Sequence, residues 1–211
     1  MGSKSKNLYQ TPDSFTIAAK KQGYPARSVF KLEEIDRRVR LLRQGQHVVD
    51  LGAAPGSWSL YAAKKIGAGG RLLAIDLQPI QIGFGAHSKV VEGDALSLAN
   101  EELAVFAPYD VVLSDMAPST SGSKLADQAR SFELFMRAVD VASALGAPGG
   151  HFVGKLFMSD DFTKARDALK RLYEEVRTLR PEGTRAKSYE VFLVGLGRKV
   201  TRGDGDAAKT P

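Results

Sequence analysis

The sequence predicts an α/β fold with a mostly parallel sheet and helices on both faces. From residue 47 onward, short apolar runs alternate with helical patterns, which is typical of a parallel sheet. The run 47–51 leads into a glycine-rich loop at 52–56, and a ligand binds beyond the carboxyl end of such a strand. Two late apolar runs are joined by Pro181-Glu182-Gly183 without a helix between them, which predicts an antiparallel hairpin.

The individual elements follow from the apolar periodicity. Helices are expected at 14–22, 27–42, 57–66, 99–106, 124–146 and 160–175. Strands are expected at 47–51, 71–76, 88–91, 109–114, 150–157 and 189–196, with a further candidate at 176–179. These elements form one domain, in which a basic helical extension (1–45) precedes a core (46–198) and a disordered tail (199–211) that has little to bury.

The distribution of charge predicts two kinds of partner. The chain has 211 residues and a net charge of +6, and residues 1–43 hold ten lysines and arginines against four acids. This basic extension favours a polyanion such as RNA over a merely solubilising role. No lysine or arginine lies between Lys89 and Lys124, so one side of the core should suit a cationic ligand.

Several classes of protein are disfavoured by what the sequence lacks. There is no cysteine, which excludes disulfides and thiolate metal sites. No apolar run approaches the roughly 20 residues of a membrane span, and the first residues lack the apolar region of a secretory signal. The three histidines show no metal-ligand spacing. We therefore expect a cytoplasmic protein with no metal and no membrane partner. We also expect a monomer, although none of these absences bears on the oligomeric state.

The glycine loop separates two classes of nucleotide ligand. Its sequence, Gly52-Ala53-Ala54-Pro55-Gly56, lacks the middle glycine of G-x-G-x-x-G, and proline has no N–H to offer a pyrophosphate. The acids nearby would repel phosphate. The loop therefore disfavours a nicotinamide dinucleotide and favours S-adenosylmethionine, which carries a sulfonium and an ammonium group.

Acids at strand ends complete the predicted cofactor site. Asp76, Asp94 and Asp115 follow or close predicted strands, where side chains face the crevice of an α/β sheet. Asp76 lies 20 residues after Gly56, the spacing of a ribose-binding acid. Trp58 packs either on the cofactor or in the core. The predicted cofactor-binding residues are Asp50, Gly52, Pro55, Gly56, Trp58, Asp76, Asp94 and Asp115.

Lys155 is the candidate for chemistry. It interrupts the apolar strand 152–157, and a buried lysine is costly unless it has a partner or a function. Asp115 should meet it at the ends of central strands, either as a structural ion pair or to orient a general base. Burial and a second cation, Lys31, favour the neutral lysine that a base requires, while Asp115 and Glu190 position it.

Taken in order, these motifs resemble the RrmJ/FtsJ family of RNA 2′-O-ribose methyltransferases. The similarity covers about residues 8–198, with motifs at 26–32, 50–58, 114–118, 121–122, Lys155 and 188–191. It implies a Rossmann-like S-adenosylmethionine-dependent methyltransferase fold, a seven-stranded sheet whose last strand is antiparallel. It also implies a catalytic tetrad of Lys31, Asp115, Lys155 and Glu190, and cofactor contacts at Gly56, Trp58, Asp76, Asp94 and Asp115. Tyr189 and the stretch 115–120 depart from the commonest forms.

The resemblance implies methyl transfer to a ribose 2′-hydroxyl of ribosomal RNA, most closely a uridine of large-subunit (23S) RNA in the large ribosomal subunit, with Lys155 as base. The same tetrad also suits transfer RNA, messenger caps or another RNA. A catalytically silent RNA-binding ribosome-assembly factor is the alternative from another class. A base-directed N-methyltransferase is disfavoured because residues 115–118 lack an Asn/Asp-Pro-Pro-aromatic loop.

Overall fold

The computed structural model describes residues 14–182 and 188–200. The predicted basic extension is therefore described from Ser14 onward, and its first cations, Lys4 and Lys6, lie outside the described residues. Most of the predicted tail, residues 201–211, also lies outside them, so its predicted disorder stays a prediction.

Helices and strands alternate through the described chain. The helices are α1 (Ser14–Lys21), α2 (Val29–Val39), α3 (Ser57–Ile66), α4 (Asn100–Leu103), α5 (Lys124–Leu145) and α6 (Phe162–Leu172). The strands are β1 (His47–Leu51), β2 (Arg71–Asp76), β3 (Ser88–Glu92), β4 (Tyr109–Ser114), β5 (Gly146–Phe157), β6 (Tyr173–Leu179) and β7 (Glu190–Arg198).

Among the described residues, seven strands form one sheet in the order β3-β2-β1-β4-β5-β7-β6. The first five pair in parallel, whereas β7 lies antiparallel between β5 and β6. The mostly parallel sheet with an antiparallel last strand is therefore confirmed. The pairing sets Lys155 opposite Phe192 and Phe157 opposite Glu190, which brings β7 beside the strand that carries Lys155.

Both faces of the sheet are covered, as predicted. Successive strand residues alternate between two apolar clusters, since Val48 packs with α2 and α3 while Val49 packs with α5 and α6. Alternation with a period of two is what a pleated strand buried on both faces requires. The face that carries α1, α2 and α3 is also the face of Phe192, so the predicted extension packs directly on the sheet near β7.

The second helix is shorter than predicted, because the predicted range 27–42 includes residues that turn away from it. Arg40 adopts a left-handed conformation (φ 54°, ψ 52°), and its N–H donates to the Asp36 carbonyl at 2.7 Å. The Asp36 carboxylate then accepts the Leu42 N–H at 2.9 Å. The hydrogen bond to this side chain takes the place of a further turn of the helix. Leu42 is therefore buried although it lies outside the helix.

The fourth helix is also shorter, ending at Leu103 rather than 106. The Tyr109 hydroxyl donates to the Leu103 carbonyl at 2.7 Å, which satisfies a group that would otherwise continue the helix.

At the end of α6, the predicted helix 160–175 gives way to a strand at Tyr173 instead of 176. The Tyr173 ring packs 6.2 Å from the Phe152 ring, and a Cβ at Gly195 would lie 2.5 Å from it. This buried contact holds Tyr173 on the sheet. The fifth strand likewise begins early, at Gly146 rather than 150.

Candidate active site

A cavity of about 270 Å³ opens where the parallel strands end. Three of the acids predicted from strand ends line it, and no lysine or arginine is among its described lining residues. The lining consists of Gly52, Ala54, Ile75, Asp76, Leu77, Gln78, Gly93, Asp94, Ala95, Asp115, Met116, Ala117, Ser119 and Leu134. An acidic, partly apolar cavity of this kind suits a cationic organic ligand.

The glycine loop forms one wall because its backbone lies close to neighbouring chain. Gly52 has φ +78°, and a Cβ there would lie 2.6 Å from Met116 Cγ and 2.8 Å from Met116 Cα. The N–H groups of Gly52 and Ala53 both donate to the Ile75 carbonyl, at 2.9 and 3.0 Å. The loop is therefore fastened to β2 and needs glycine where it passes Met116.

Two of the cavity acids are held in place by main-chain donors. Asp76 accepts the N–H of Ala54 and that of Gln78, each at 2.8 Å and on different oxygens. Asp94 accepts the Leu96 N–H at 2.9 Å. Each carboxylate oxygen has two acceptor sites, so both acids keep capacity to accept hydroxyl or ammonium donors from a ligand.

Asp50, in β1 directly before the loop, is a buried carboxyl group without a full set of partners. It is completely buried; Ser59 Oγ donates to Oδ2 at 2.6 Å, and Oδ1 has no hydrogen-bond partner. Burial raises the pKa of Asp50 from 3.8 to about 7, opposed by the Ser59 hydrogen bond and reinforced by the charges of Asp115 and Asp76. A cation in the cavity would offset the negative charges of Asp115 and Asp76 that act on Asp50. The residues present therefore fit S-adenosylmethionine, which is a cation at its sulfonium and ammonium groups.

Lys155 and Asp115 form the first half of the predicted tetrad. The Lys155 side chain is 8% exposed; its Nζ lies 2.8 Å from Asp115 Oδ1 and donates to the Asp115 carbonyl oxygen at 2.6 Å. The contact with Oδ1 is an ion pair whose geometry is not that of a hydrogen bond, so the aligned bond is the one to the carbonyl. Asp115 also lines the cavity and thus joins the lysine to it.

Lys31 and Glu190 form the second half. Lys31 Nζ makes a short ion pair with a Glu190 carboxylate oxygen, and both side chains are largely buried. Lys31 Nζ also lies 5.7 Å from the centroid of the Phe192 ring, and Phe192 is the β7 residue opposite Lys155. The predicted tetrad is therefore two ion pairs: one joins β5 to the residue that follows β4, and the other joins α2 to β7. Glu190 contacts Lys31 rather than Lys155, the residue it was expected to position.

Four of the predicted cofactor residues do not line the cavity. Asp50, Pro55 and Gly56 are not among its described lining residues. The Trp58 side chain is 2% exposed and packs 5.7 Å from the Phe192 ring. Of the two predicted placements for its ring, the structure shows core packing, and a cofactor contact by Trp58 stays a prediction.

The prediction missed the apolar part of the cavity. Leu77, Ala95 and Met116 all line it, and each follows one of the strand-end acids by one residue. The repeated pair of an acid and an apolar residue was a usable signal, since both members of each pair line the cavity. Leu134 comes from α5, and no local motif marks it.

The predicted basic surface is partly free and partly neutralised. Lys20, Lys21 and Arg37 are exposed on α1 and α2, whereas Arg38 pairs with Glu34 at 2.5 Å.

Over residues 14–182 and 188–200, no group of three or more histidine or acid side chains could hold a metal ion. In that same part of the chain, none of the helices combines the length and apolar character needed to span a bilayer.

Comparisons with known proteins identify relatives of the whole described core. Residues 24–198 match the FtsJ-like methyltransferase family. The chain is 76% identical over 197 residues to ribosomal RNA large subunit methyltransferase E of Sorangium cellulosum, covering 93% of each. It is 45% identical over 195 residues to the protein of that name from Bdellovibrio bacteriovorus, covering 90% of this chain and 99% of the relative.

Solved structures with low identity support the fold. A Plasmodium falciparum protein described as a ribosomal RNA methyltransferase superposes with a TM-score of 0.72 at 23% identity, covering 84% of this chain and all of its own. Aeropyrum pernix fibrillarin, solved with S-adenosyl-L-methionine, gives a TM-score of 0.55 at 14% identity, covering 85% of this chain and 73% of its own. These likenesses confirm the Rossmann-like methyltransferase fold. With the family match across most of the sequence, they lead to one conclusion: the chain is a methyltransferase and belongs to the FtsJ-like methyltransferase family.

Proposed function

We propose that this protein transfers a methyl group from S-adenosylmethionine to the 2′-hydroxyl of a uridine ribose in large-subunit ribosomal RNA. The observation that carries the proposal is the junction at Asp115. This residue lines the acidic cavity and also contacts Lys155, so a methyl donor in the cavity and an acceptor at the lysine would share one boundary. The names of the relatives supply the RNA class.

Different cavity residues would bind different parts of the cofactor. Asp76 would accept the ribose hydroxyls and Asp94 a donor of the adenine base, while Leu77, Ala95 and Met116 would cover its flat faces. Asp115, with Asp50 behind it, would balance the positive charge of the ammonium and sulfonium groups. When bound, S-adenosylmethionine would supply an electrophilic methyl group, whose bond to sulfur breaks as the ribose oxygen bonds to the methyl carbon, with S-adenosylhomocysteine as the leaving group.

Lys155 acts on the acceptor hydroxyl. In its neutral form Nζ accepts the hydroxyl proton or holds the oxygen by a hydrogen bond, and Asp115 fixes the lysine from the cavity side. Lys31 contributes a positive charge beside the developing oxyanion, while Glu190 and the Phe192 ring hold that ammonium group in place. Alignment of the two reactants supplies much of the rate.

The RNA would approach over the helices of the predicted extension. Lys20, Lys21 and Arg37 are exposed there, and α2 also carries Lys31, so phosphate contacts on this surface lead to the tetrad. Such contacts position the backbone without reading its sequence, and the ribose 2′-hydroxyl distinguishes RNA from DNA. Because the substrate proposed is ribosomal RNA, we also propose the cytoplasm as the compartment. We further propose that the protein is a monomer and that the basic extension is part of the same domain as the core.

Labelled-methyl transfer tests the substrate. Purified protein and radiolabelled S-adenosylmethionine are incubated with large ribosomal subunits, free ribosomal RNA or transfer RNA, and the product is mapped for alkali-resistant linkages. The proposal predicts label at a single ribose 2′-oxygen of a large-subunit uridine. Label on transfer RNA would instead favour transfer RNA as the substrate. Label on a base would refute 2′-O chemistry, and S-adenosylmethionine binding without any transfer would favour a silent assembly factor.

A further inference from the structure

Trp58 lies at the joint between the glycine loop and the helix that carries Lys31. It is the single tryptophan of the chain and the second residue of α3, immediately beyond the loop. Its side chain is 2% exposed and belongs to the apolar cluster on the α2 side of the sheet. The indole therefore points away from the acidic cavity, into the packing beneath the tetrad.

The indole N–H holds the first turn of α2. Trp58 Nε1 donates to the Ser28 carbonyl at 2.8 Å, and that same carbonyl accepts the backbone N–H of Lys31 at 3.1 Å. The Ser28 side chain makes no capping hydrogen bond. The preceding residue of α3 adds a second link, because Ser57 Oγ accepts the Ala26 N–H at 2.8 Å and donates to the Ala26 carbonyl at 3.1 Å.

The indole ring supports Lys31 from the other side. Its centroid lies 5.7 Å from that of Phe192, with 36° between the ring planes. Phe192 in turn lies 5.7 Å from Lys31 Nζ. An ammonium group at this distance from an aromatic face is attracted to it. Trp58 thus contacts the carbonyl that fixes the Lys31 backbone and also the ring that supports the Lys31 ammonium.

We propose that Trp58 is a positioning residue that sets Lys31 against Phe192 and Glu190, and so couples the glycine loop to the acceptor side of the site. The proposal rests on the function proposed above, since it needs Lys31 to act in methyl transfer. The indole takes no part in holding the cofactor. The Trp58 backbone N–H is unchanged by substitution of the side chain, so cofactor affinity should be kept when the indole is removed.

A double-mutant cycle tests this coupling. Trp58→Phe keeps a ring against Phe192 but removes the indole N–H, and it should lower kcat about five- to tenfold, as expected for one lost hydrogen bond. The affinity for S-adenosylmethionine, measured by calorimetry, should stay within about twofold. In a Lys31→Ala background, Trp58→Phe should cause no further loss of kcat, because the residue that it positions is gone.

A second readout does not depend on activity. In protein labelled with ¹³C-lysine, the Lys31 ε-methylene signal, assigned by its loss in Lys31→Ala, should be shifted by the Phe192 ring current. Trp58→Phe should move that signal toward its random-coil position. The matched control is Tyr173→Leu, which removes a buried aromatic ring from the opposite cluster; it should reduce stability while leaving the Lys31 signal and kcat unchanged.

The outcomes separate the two proposals. An equal loss of kcat in the wild-type and Lys31→Ala backgrounds, or an unmoved Lys31 signal in Trp58→Phe, would overturn the positioning role. A loss of cofactor affinity of tenfold or more in Trp58→Phe would show that the indole serves the cofactor instead. Absence of methyl transfer by the wild-type protein would refute the proposed function, while the Lys31 signal would still report on the contact.

Discussion

Cofactor binding is expected to release a proton from Asp50 at slightly acidic pH. Burial raises the pKa of this carboxyl to about 7, and the charges of Asp115 and Asp76 add to that effect. Those two acids line the cavity. A cation bound there would offset their negative charges and lower the pKa of Asp50. The perturbation to test is Asp50→Asn, which keeps the size of the side chain but cannot titrate.

The expected magnitude follows from the pKa. With a value of about 7, about nine-tenths of Asp50 is protonated near pH 6 and only a few per cent near pH 8.5. A nearby cation lowers the pKa of a carboxyl group by about one to three units. A decrease of about two units would leave about a tenth protonated at pH 6, so binding would release about 0.8 proton there and almost none at pH 8.5.

Calorimetry in two buffers of different ionisation enthalpy measures this release. The apparent binding enthalpy of wild-type protein should depend on the buffer near pH 6 and become independent of it near pH 8.5. Asp50→Asn should abolish the dependence, whereas Asp140→Asn, at an exposed acid of α5, should retain it. A buffer-independent enthalpy at pH 6 for wild-type protein would show that cofactor binding releases no proton from Asp50.

The same carboxyl should affect stability without ligand. The pKa of Asp50 is raised on folding, so the folded state binds more protons than the unfolded state between about pH 4 and pH 7, and the free energy of unfolding falls as pH rises. From pH 6 to pH 8.5 this group should account for a loss of about 1.4 kcal/mol. Urea titrations should show that loss in wild-type protein but not in Asp50→Asn.

Two further predictions concern the cavity wall and the RNA surface. Gly52→Ala should reduce both stability and cofactor affinity, the latter by at least about tenfold, because its Cβ would lie 2.6 Å from Met116; calorimetry measures the affinity. Replacing Lys20 and Lys21 by glutamine should weaken RNA binding and reduce the slope of log K against log salt by up to about 2, since each phosphate contact contributes about 0.7 to 0.9; filter binding over a salt series measures it.

Each of these has a direct control. Gly45→Ala places alanine at a similar left-handed φ of +83° with no atom within 4 Å of its Cβ, so it should lower stability but not cofactor affinity. Equal cofactor affinities in the two glycine variants would contradict the proposed wall. For the lysines, an unchanged salt slope would mean that this part of the extension only aids solubility.

Periodicity and strand-end positions were enough to predict the fold and the acids of the cavity. Asp76, Asp94 and Asp115 were found because parallel strands bring their carboxyl ends to one edge. Lys155 and Asp115 were expected to meet for the same reason, and they do. Such inferences succeed when the geometry of the sheet alone decides which residues are near each other.

The features that sequence reasoning missed depend on side chains from distant segments. The early end of α2 needs the Asp36 carboxylate to accept the Leu42 N–H, which no periodicity reveals. The partner of Glu190 depends on the register between β5 and β7 and on how α2 packs over them. For Trp58, the position next to the glycine loop left a ligand contact and core packing equally open, and nothing in the sequence marks the hydrogen bond from its indole to the Ser28 carbonyl.

Methyl transfer by Lys155→Ala is the decisive test of the role proposed for this lysine. The variant removes the side chain that joins the acceptor site to Asp115, so with large-subunit RNA and labelled S-adenosylmethionine it should yield no 2′-O-methyluridine, while its cofactor affinity by calorimetry stays close to that of wild-type protein. Formation of 2′-O-methyluridine by Lys155→Ala at a rate near that of wild-type protein would contradict the account.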